Sequence, residues 1–136
     1  MKPARFEVAI LGAGAAGLLA ALTAARRGRR VLLLDHARRP GAKIRVSGGG
    51  RCNFTHLHAS PKHYLSQQPN FCRAALKAFP PQRFLDEMRC HGLTWHEKSP
   101  GQLFGDGPAE GIVSMLEEEC RQAGVEFRLG VTVEGV

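Results

Sequence analysis

The feature that most constrains the fold is the glycine pattern GAGAAG at residues 12–17. An apolar, β-branched stretch precedes it at residues 6–11 and predicts a buried strand. Residues 13–27 after it are rich in Ala and Leu and predict a helix, which Gly28 would end. Apolar residues 31–34 then predict a second buried strand, parallel to the first. A strand, a glycine turn, a helix and a parallel strand begin a Rossmann-like α/β fold.

Each glycine of this pattern has a physical role in binding a dinucleotide. Gly12 permits the tight turn out of the strand, Gly14 leaves room for a pyrophosphate, and Gly17 lets the helix pack closely on the strand. The pyrophosphate is expected at Ala15 and Ala16, on the helix N-terminus. Unpaired N–H groups and the positive end of the helix dipole favour an anion there.

The second strand leads into an acidic residue, Asp35, which is placed to accept a hydrogen bond from an adenosine ribose hydroxyl. The neighbouring His36 is included in the candidate cofactor site. Arg38 and Arg39 could instead hold the 2′-phosphate of NADP, although an acidic residue at the strand end argues against it. The first glycine pattern alone leaves FAD, NAD and NADP open.

A second glycine run follows at residues 40–55, PGAKIRVSGGGRCNFT. It resembles the signature of the BaiN-like, or aminoacetone-oxidase-type, FAD-binding flavoproteins, in which a Lys precedes a Ser-Gly-Gly-Gly-Arg-Cys-Asn core and a Thr-Asn follows. His56 stands where that signature has Asn. Residues 101–105, GQLFG, are similar to the family's Gly-Arg-Val-Phe-Pro element, with Gln102 and Gly105 as departures. The resemblance runs along the whole chain.

The resemblance implies an oxidoreductase that transfers hydride through FAD, with NAD(P)H as a candidate electron donor and the substrate unassigned. Consecutive glycines let a chain pass flat against a planar ligand, and a nearby cation stabilises charge on a reduced flavin. By position, Val133 is expected against the adenine. The residues expected at the flavin end are Lys43, Ser47, Gly48, Gly49, Gly50, Arg51, Cys52 and Asn53. A non-catalytic or NAD(P)-binding Rossmann module is the alternative, and no catalytic residue is assigned.

Cysteine and histidine spacing argues against thiol or metal chemistry. A redox-active Cys52 would need a nearby partner, and the other three cysteines are all distant in sequence. We therefore interpret Cys52 as a small buried residue behind the flavin. His56, His58 and His63 lack a Cys or carboxylate at a metal-ligand spacing, so no metal site is predicted. Scattered cysteines without a signal peptide predict a reducing cytoplasm.

The net charge of +7 raises the possibility of nucleic-acid binding. Two plainer explanations exist for the basic first half of the chain. Residues 26–30 end a helix, where cations complement the dipole, and residues 43–51 belong to the flavin loop, where the cofactor is anionic. No stacking aromatic residues lie among them. We therefore predict a small-molecule substrate, no nucleic-acid partner and, since no apolar run has membrane-spanning length, no membrane partner; oligomeric state is left open.

The chain has 136 residues, which suffices for one domain but is short for a flavoprotein of the type it resembles. We expect residues 1–136 to be the N-terminal FAD-binding domain of a three-layer, Rossmann-like α/β fold. Its sheet would be incomplete, and the substrate domain and the C-terminal return to the FAD domain would be absent. The later elements expected are helices at 71–79, 81–91 and 109–123, a possible hairpin within 92–107, a third parallel strand at 125–129, a further strand beginning at 131–133 and the start of a hairpin at 134–136.

Overall fold

The computed structural model describes residues 5–135, and its first elements form a βαβ unit. Strand β1 spans Val8–Leu11, helix α1 spans Ala15–Arg26 and strand β2 spans Val31–Asp35. Gly28 follows the helix with φ +77°, a left-handed conformation that costs glycine little. Strands β1 and β2 pair in parallel, with Val8 opposite Val31. The βαβ unit predicted from the first glycine pattern is confirmed.

A third strand, β6 at Glu126–Leu129, extends this sheet beyond β2. It also runs parallel, with Leu33 opposite Phe127. Alternate residues point to one face, where Val31 and Leu33 are almost fully buried, and Val8, Ile10 and Phe127 pack on the same core. Leu11, on the opposite face, is 54% exposed. The strand order is β1-β2-β6, so β1 and β6 are the edge strands of the described sheet.

A separate antiparallel sheet lies within the connection between β2 and β6. Its strands are β3 at Asn53–His56, β4 at Trp95–Ser99 and β5 at Gln102–Gly105, in the order β3-β5-β4. Strands β4 and β5 form the predicted hairpin, which turns through Gly101 at φ +80°. Strand β3 was not predicted.

Four helices complete the described residues. They are α2 at Ala42–Val46, α3 at Arg73–Ala78, α4 at Pro81–Cys90 and α5 at Glu110–Gln122. The inward face of α5 contributes Ile112, Val113, Met115, Leu116 and Cys120 to the core, beside Leu18, Ala21 and Leu22 of α1. The last three helices match the predictions within two residues at either end. None of the helices in this part of the chain has the length and apolar content needed to cross a membrane.

The expected further strand at residues 131–133 is wrong. These residues have no regular structure, although the Val131 N–H donates to the Asp35 carbonyl at 3.1 Å. The apolar alternation of Val-Thr-Val is typical of a strand, but β2 ends at Asp35, so the ladder does not continue beyond the Val131 bond among the described residues. The hairpin expected at 134–136 includes residue 136, which lies outside the described residues.

The Rossmann-like α/β class is confirmed, with a small parallel sheet of three strands in the described residues. Within residues 5–135, α1 and α5 cover one face of the parallel sheet, which supplies two of the three predicted layers.

Candidate functional site

The turn after β1 has the geometry that its glycines predict. Gly12 has φ +104°, a conformation that few other residues adopt. A Cβ added to Gly17 would overlap the carbonyl oxygen of Gly12, so the close approach of α1 to the strand end requires glycine. A Cβ on Gly14 would meet no atom within 4 Å. The space in front of Gly14 is therefore open, as a pyrophosphate site requires.

The N-terminus of α1 presents backbone donors to this space. Helix α1 has no side-chain cap, and a main-chain bond runs from the Leu18 N–H to the carbonyl of Gly14 in the turn. In the described part of the chain the N–H groups of Ala15, Ala16 and Gly17 have no acceptor. Three free donors at the positive end of a 12-residue helix are the arrangement that favours an anion.

Asp35 holds the glycine turn in place. Its Oδ2 accepts the Ala13 N–H at 2.6 Å, and its Oδ1 accepts the Ala37 N–H at 2.8 Å. These bonds, from Ala37 first and then Ala13, lower the pKa of the carboxyl below its ordinary value. Each oxygen keeps a second lone pair, so a ribose hydroxyl still has an acceptor there. His36 is beside it, with Nδ1 3.2 Å from Asp35 Oδ1 and a side chain that is 91% exposed.

A cavity of about 490 Å³ lies next to the start of α1 and joins the two glycine segments. Its volume falls in the range of ligand sites. Six of the predicted site residues line it, and these are Ala15, Ala16, Lys43, Ser47, Cys52 and Asn53. The structure therefore brings the phosphate-binding end and the predicted flavin end together around one space.

The second glycine run adopts a compact turn that only glycines allow. Gly48, Gly49 and Gly50 all have positive φ, at 56°, 65° and 84°. A Cβ on Gly48 would lie 2.7 Å from the Phe104 ring and 2.8 Å from the Asn53 nitrogen. The run thus folds tightly against β5, and its shape is fixed by packing as well as by the glycines.

Cys52 closes the turn in an unusual conformation. It is the one non-glycine residue with positive φ, at 60°, among those described, and it is 5% exposed. Burial raises the pKa of its thiol, outweighing a hydrogen bond with Ser47 that lowers it. A protonated, buried thiol is a weak nucleophile, which agrees with the interpretation of Cys52 as a packing residue.

Backbone and side-chain bonds anchor the turn to the connection between β5 and α5. The Ala109 N–H donates to the Gly50 carbonyl at 2.8 Å, and the Gly105 N–H donates to the Arg51 carbonyl at 3.1 Å. The Arg51 guanidinium donates to the carbonyl of Asp106. In this structure the Arg51 guanidinium, which is predicted at the flavin end, therefore contacts a loop carbonyl.

Not every predicted residue lines the cavity. Val133 is 42% exposed in the irregular segment after β6, and His36 points to solvent. Lys43 is the one basic residue among the lining side chains.

The sequence analysis missed the opposite wall of the cavity. Four aromatic side chains, Phe54, Tyr64, Phe79 and Phe84, line it, and the Phe54 and Phe84 ring centroids are 5.6 Å apart. They come from β3, from the segment that follows it, from the end of α3 and from α4. The concentration of aromatic residues between positions 54 and 84 was the available signal.

The histidines after β3 use their ring nitrogens locally. His56 Nδ1 accepts the His58 N–H at 3.1 Å, and His63 Nδ1 accepts the Ser60 N–H at 3.2 Å. Among residues 5–135, no group of three or more His, Cys, Asp or Glu side chains is arranged to hold a metal ion.

The parallel sheet, the glycine turn and the free helix N-terminus define a Rossmann-like dinucleotide-binding domain. A family model described as the HI0933-like protein Rossmann domain matches residues 6–136, and the chain belongs to that family. The resemblance to BaiN-like flavoproteins is thereby confirmed. Family membership supports FAD as the cofactor and a flavin-dependent redox role.

Two curated relatives and one solved structure illustrate what the chain is similar to. It is 53% identical over 125 residues to the ribosomal RNA dihydrouridine synthase of Escherichia coli K12, covering 92% of this chain and 31% of that protein. It is 31% identical over 132 residues to the 3-dehydro-bile acid delta(4,6)-reductase of Clostridium scindens, covering 96% and 32%. The chain thus spans about a third of the length of these relatives. The 3-ketosteroid-delta4-(5alpha)-dehydrogenase of Rhodococcus jostii RHA1 shares the fold, with a TM-score of 0.61, 16% identity and coverage of 92% of this chain and 38% of that one.

The prediction that excluded nucleic-acid partners is wrong. The finding that overturns it is the first of these relatives, which is named for ribosomal RNA. The prediction weighed only the basic residues of the first half, where no aromatic side chains are interleaved. Exposed aromatic residues do occur, but further along, at Tyr64 and Phe71.

Proposed function

We propose that this chain is the FAD-binding portion of a flavin-dependent reductase that converts uridine in ribosomal RNA to dihydrouridine. The observation that carries the proposal is the single cavity in which the α1 N-terminus meets the second glycine run. The proposed cofactor contacts are the free N–H groups at Ala15–Gly17 for the pyrophosphate, Asp35 for the ribose, and Lys43 with Ser47–Asn53 for the flavin end. The remaining parts of the enzyme, including a substrate domain, would lie in a longer protein.

The two relatives suggest one common chemistry. Their names describe reduction of a carbon–carbon double bond conjugated to a carbonyl: the C5=C6 bond of uracil in one and the ring double bonds of a 3-oxo steroid in the other. Bound FAD in its reduced form would supply the hydride to one carbon, a proton would add to the other, and NAD(P)H would restore the reduced flavin. We choose ribosomal RNA as the substrate because identity to that relative is 53%, against 31% to the bile-acid reductase. A cytoplasmic location goes with this substrate.

The experiment starts from the protein expressed with its complete coding sequence. The purified protein should carry FAD, identified by mass after release. With NAD(P)H and unmodified ribosomal RNA it should form dihydrouridine, detected by mass spectrometry of the digested nucleosides as uridine plus two hydrogens.

Two results would contradict the proposal in different ways. A yellow protein that reduces a conjugated 3-oxo steroid but leaves uridine unchanged would indicate a reductase of the bile-acid type. A colourless protein that does not take up FAD would indicate a non-catalytic or NAD(P)-binding module.

A further inference from the structure

A long segment of the chain contains no carboxylate. Between Asp35 and Asp86, residues 36–85 include nine Lys and Arg but no Asp or Glu. The whole chain has a net charge of +7, so this segment holds all of the excess positive charge. Such a segment is attracted to a polyanion and has no internal carboxylates to neutralise it.

A fifth of this segment is also the longest continuously exposed stretch of the described chain. Residues 62–71 are exposed without a break, and they include Tyr64, Leu65 and Phe71 at 49%, 99% and 79% exposure. Lys62, Arg73 and Lys77 flank these apolar side chains. Within residues 5–135, none of the three forms a salt bridge or a side-chain hydrogen bond. Free cations beside exposed aromatic rings are the composition of a single-strand nucleic-acid surface.

Tyr64 connects this surface to the candidate site. Tyr64 lines the same cavity as Lys43, Ser47 and Asn53. Leu76 and Phe79 line this cavity as well. Arg73 and Lys77 are four residues apart on α3, so both project from the helix face next to Leu76. One aromatic ring at the cavity mouth is thus accompanied by cations on the adjoining helix.

We propose that Tyr64 stacks on a uracil base turned out of the RNA and into the cavity, and that Lys62, Arg73 and Lys77 bind the flanking phosphates. This inference rests on the proposed function. A base inside a duplex exposes no face to a flavin, so it must leave the stack, and stacking on an aromatic side chain offsets part of that cost. The charge of the segment selects RNA as the occupant of this surface.

The test uses the complete protein with unmodified ribosomal RNA as the probe. A triple variant, Lys62→Gln with Arg73→Gln and Lys77→Gln, should weaken RNA binding and reduce the slope of log affinity against log salt by about 2, since each lost phosphate contact contributes roughly 0.7 on single-stranded RNA. The matched control is Arg89→Gln with Arg121→Gln and Arg128→Gln. It makes the same change in charge, at arginines that already pair with Asp86, Glu117 and Glu126. The control should leave the slope unchanged.

Tyr64 is tested separately. Tyr64→Leu should lower the efficiency of dihydrouridine formation roughly 5- to 150-fold, the loss expected for one stacked base, whereas Tyr64→Phe should retain it. Because Tyr64 lines the proposed FAD cavity, FAD content is measured in both variants, and dihydrouridine formation is expressed per bound FAD.

The outcomes separate this inference from the proposed function. If the wild type forms no dihydrouridine, the proposed function fails first. If the wild type is active but the triple variant and Tyr64→Leu bind and modify RNA normally, the surface is not the RNA contact. Loss of FAD or of thermal stability with unchanged RNA affinity would show that another part of the same protein covers these residues, and would also overturn the inference.

Discussion

At the scale of single residues, the glycines of the first turn have different physical reasons to be glycine. Gly17 is required by packing within the protein itself, because a Cβ there would overlap the Gly12 carbonyl. Gly14 faces open space, and its φ of −82° suits any residue. No contact among the described residues therefore requires glycine at position 14, and the proposed pyrophosphate would supply the reason for it.

This difference gives a paired prediction. Gly17→Ala should reduce the free energy of unfolding by about 2 kcal/mol or more, as expected when a rigid backbone contact is overpacked. Gly14→Ala should leave the stability of the cofactor-free protein nearly unchanged but weaken FAD binding at least tenfold. Urea unfolding and FAD titration measure the two effects. Equal FAD affinity in wild type and Gly14→Ala would show that the pyrophosphate does not bind in front of Gly14.

The Asp35 carboxylate is a second residue whose role has a measurable pH signature. Its lowered pKa means that the ionised form stabilises the fold fully above the unfolded pKa of about 3.9, and that this contribution is lost as the pH falls through the lower folded value. Asp35→Asn should cost about 1–2 kcal/mol at pH 7, because the amide group would face one of two backbone N–H donors. It should also lose less stability than the wild type between pH 7 and pH 3, measured by urea unfolding. Asp86→Asn, at a carboxylate that is 58% exposed, is the matched control and should change neither value much.

At the scale of elements, helices α1, α4 and α5 meet at a cluster of charged side chains. Arg26 at the end of α1 contacts both Glu87 of α4 and Glu119 of α5, and His91 Nε2 lies 2.6 Å from Glu119 Oε1. These contacts, His91 first and then Arg26, lower the pKa of Glu119. Glu119 thus ties the end of α4 to the helices that cover the parallel sheet.

Replacement of the Glu119 carboxylate should weaken the contacts between these three helices and lower the stability of the fold. Glu119→Gln is expected to lose about 1 kcal/mol at neutral pH, since the cluster is partly exposed and solvent weakens its ion pairs. The loss should shrink as the pH falls through the lowered folded pKa of Glu119, because the wild-type carboxylate then becomes protonated as well. Glu118→Gln is the control, because Glu118 is exposed and bonds only to Gln122 among the described residues. If Glu118→Gln lowered the free energy of unfolding as much as Glu119→Gln, the charged cluster would contribute no more to stability than an exposed surface contact.

At the scale of the whole molecule, the reactivity of the four free cysteines measures how well the core excludes solvent. Cys52 and Cys120 are buried, Cys72 is half-buried and Cys90 is exposed. Burial raises the pKa of Cys120 to about 11 and raises that of Cys52 as well. In native protein at pH 8, a thiol reagent should modify Cys90 within minutes, and Cys52 and Cys120 only after denaturation. Peptide mass mapping assigns the sites, and rapid labelling of Cys52 would contradict its placement behind the glycine turn.

The sequence predicted those parts of the molecule whose causes are local. The βαβ unit follows from Gly12, Gly17 and adjacent apolar runs, and α5 from the spacing of Ile112, Leu116 and Cys120. Strand β3 was missed because Asn53–His56 is a strand only through pairing with β5, nearly fifty residues away. The strand expected at 131–133 did not form although its pattern is typical of one, because its neighbour β2 ends at Asp35.

The candidate site divides in the same way. Residues of the two glycine segments were predicted, and the structure places six of them around one cavity. The aromatic wall was not predicted, because Phe54, Tyr64 and Phe84 come together only when β3 and α4 pack. The contact of Arg51 with the Asp106 carbonyl likewise depends on where the β4–β5 hairpin packs against the second glycine run. A local sequence pattern predicts the hairpin but not its position relative to that run. Which cofactor atoms meet these residues stays a prediction.

The hydrogen bonds of the first glycine turn join groups that are close in sequence. Gly12 bonds to Leu34, Ala13 bonds to Asp35 and Gly41, and β1 pairs with β2, so these bonds all lie within residues 8–41. Strand β6, which completes the described parallel sheet, begins at Glu126. At translation rates of 5–20 residues per second, about 4–17 s separate synthesis of the two. If FAD binds at this turn as proposed, its first contacts can therefore form on a nascent chain still attached to the ribosome, before strand β6 has been made.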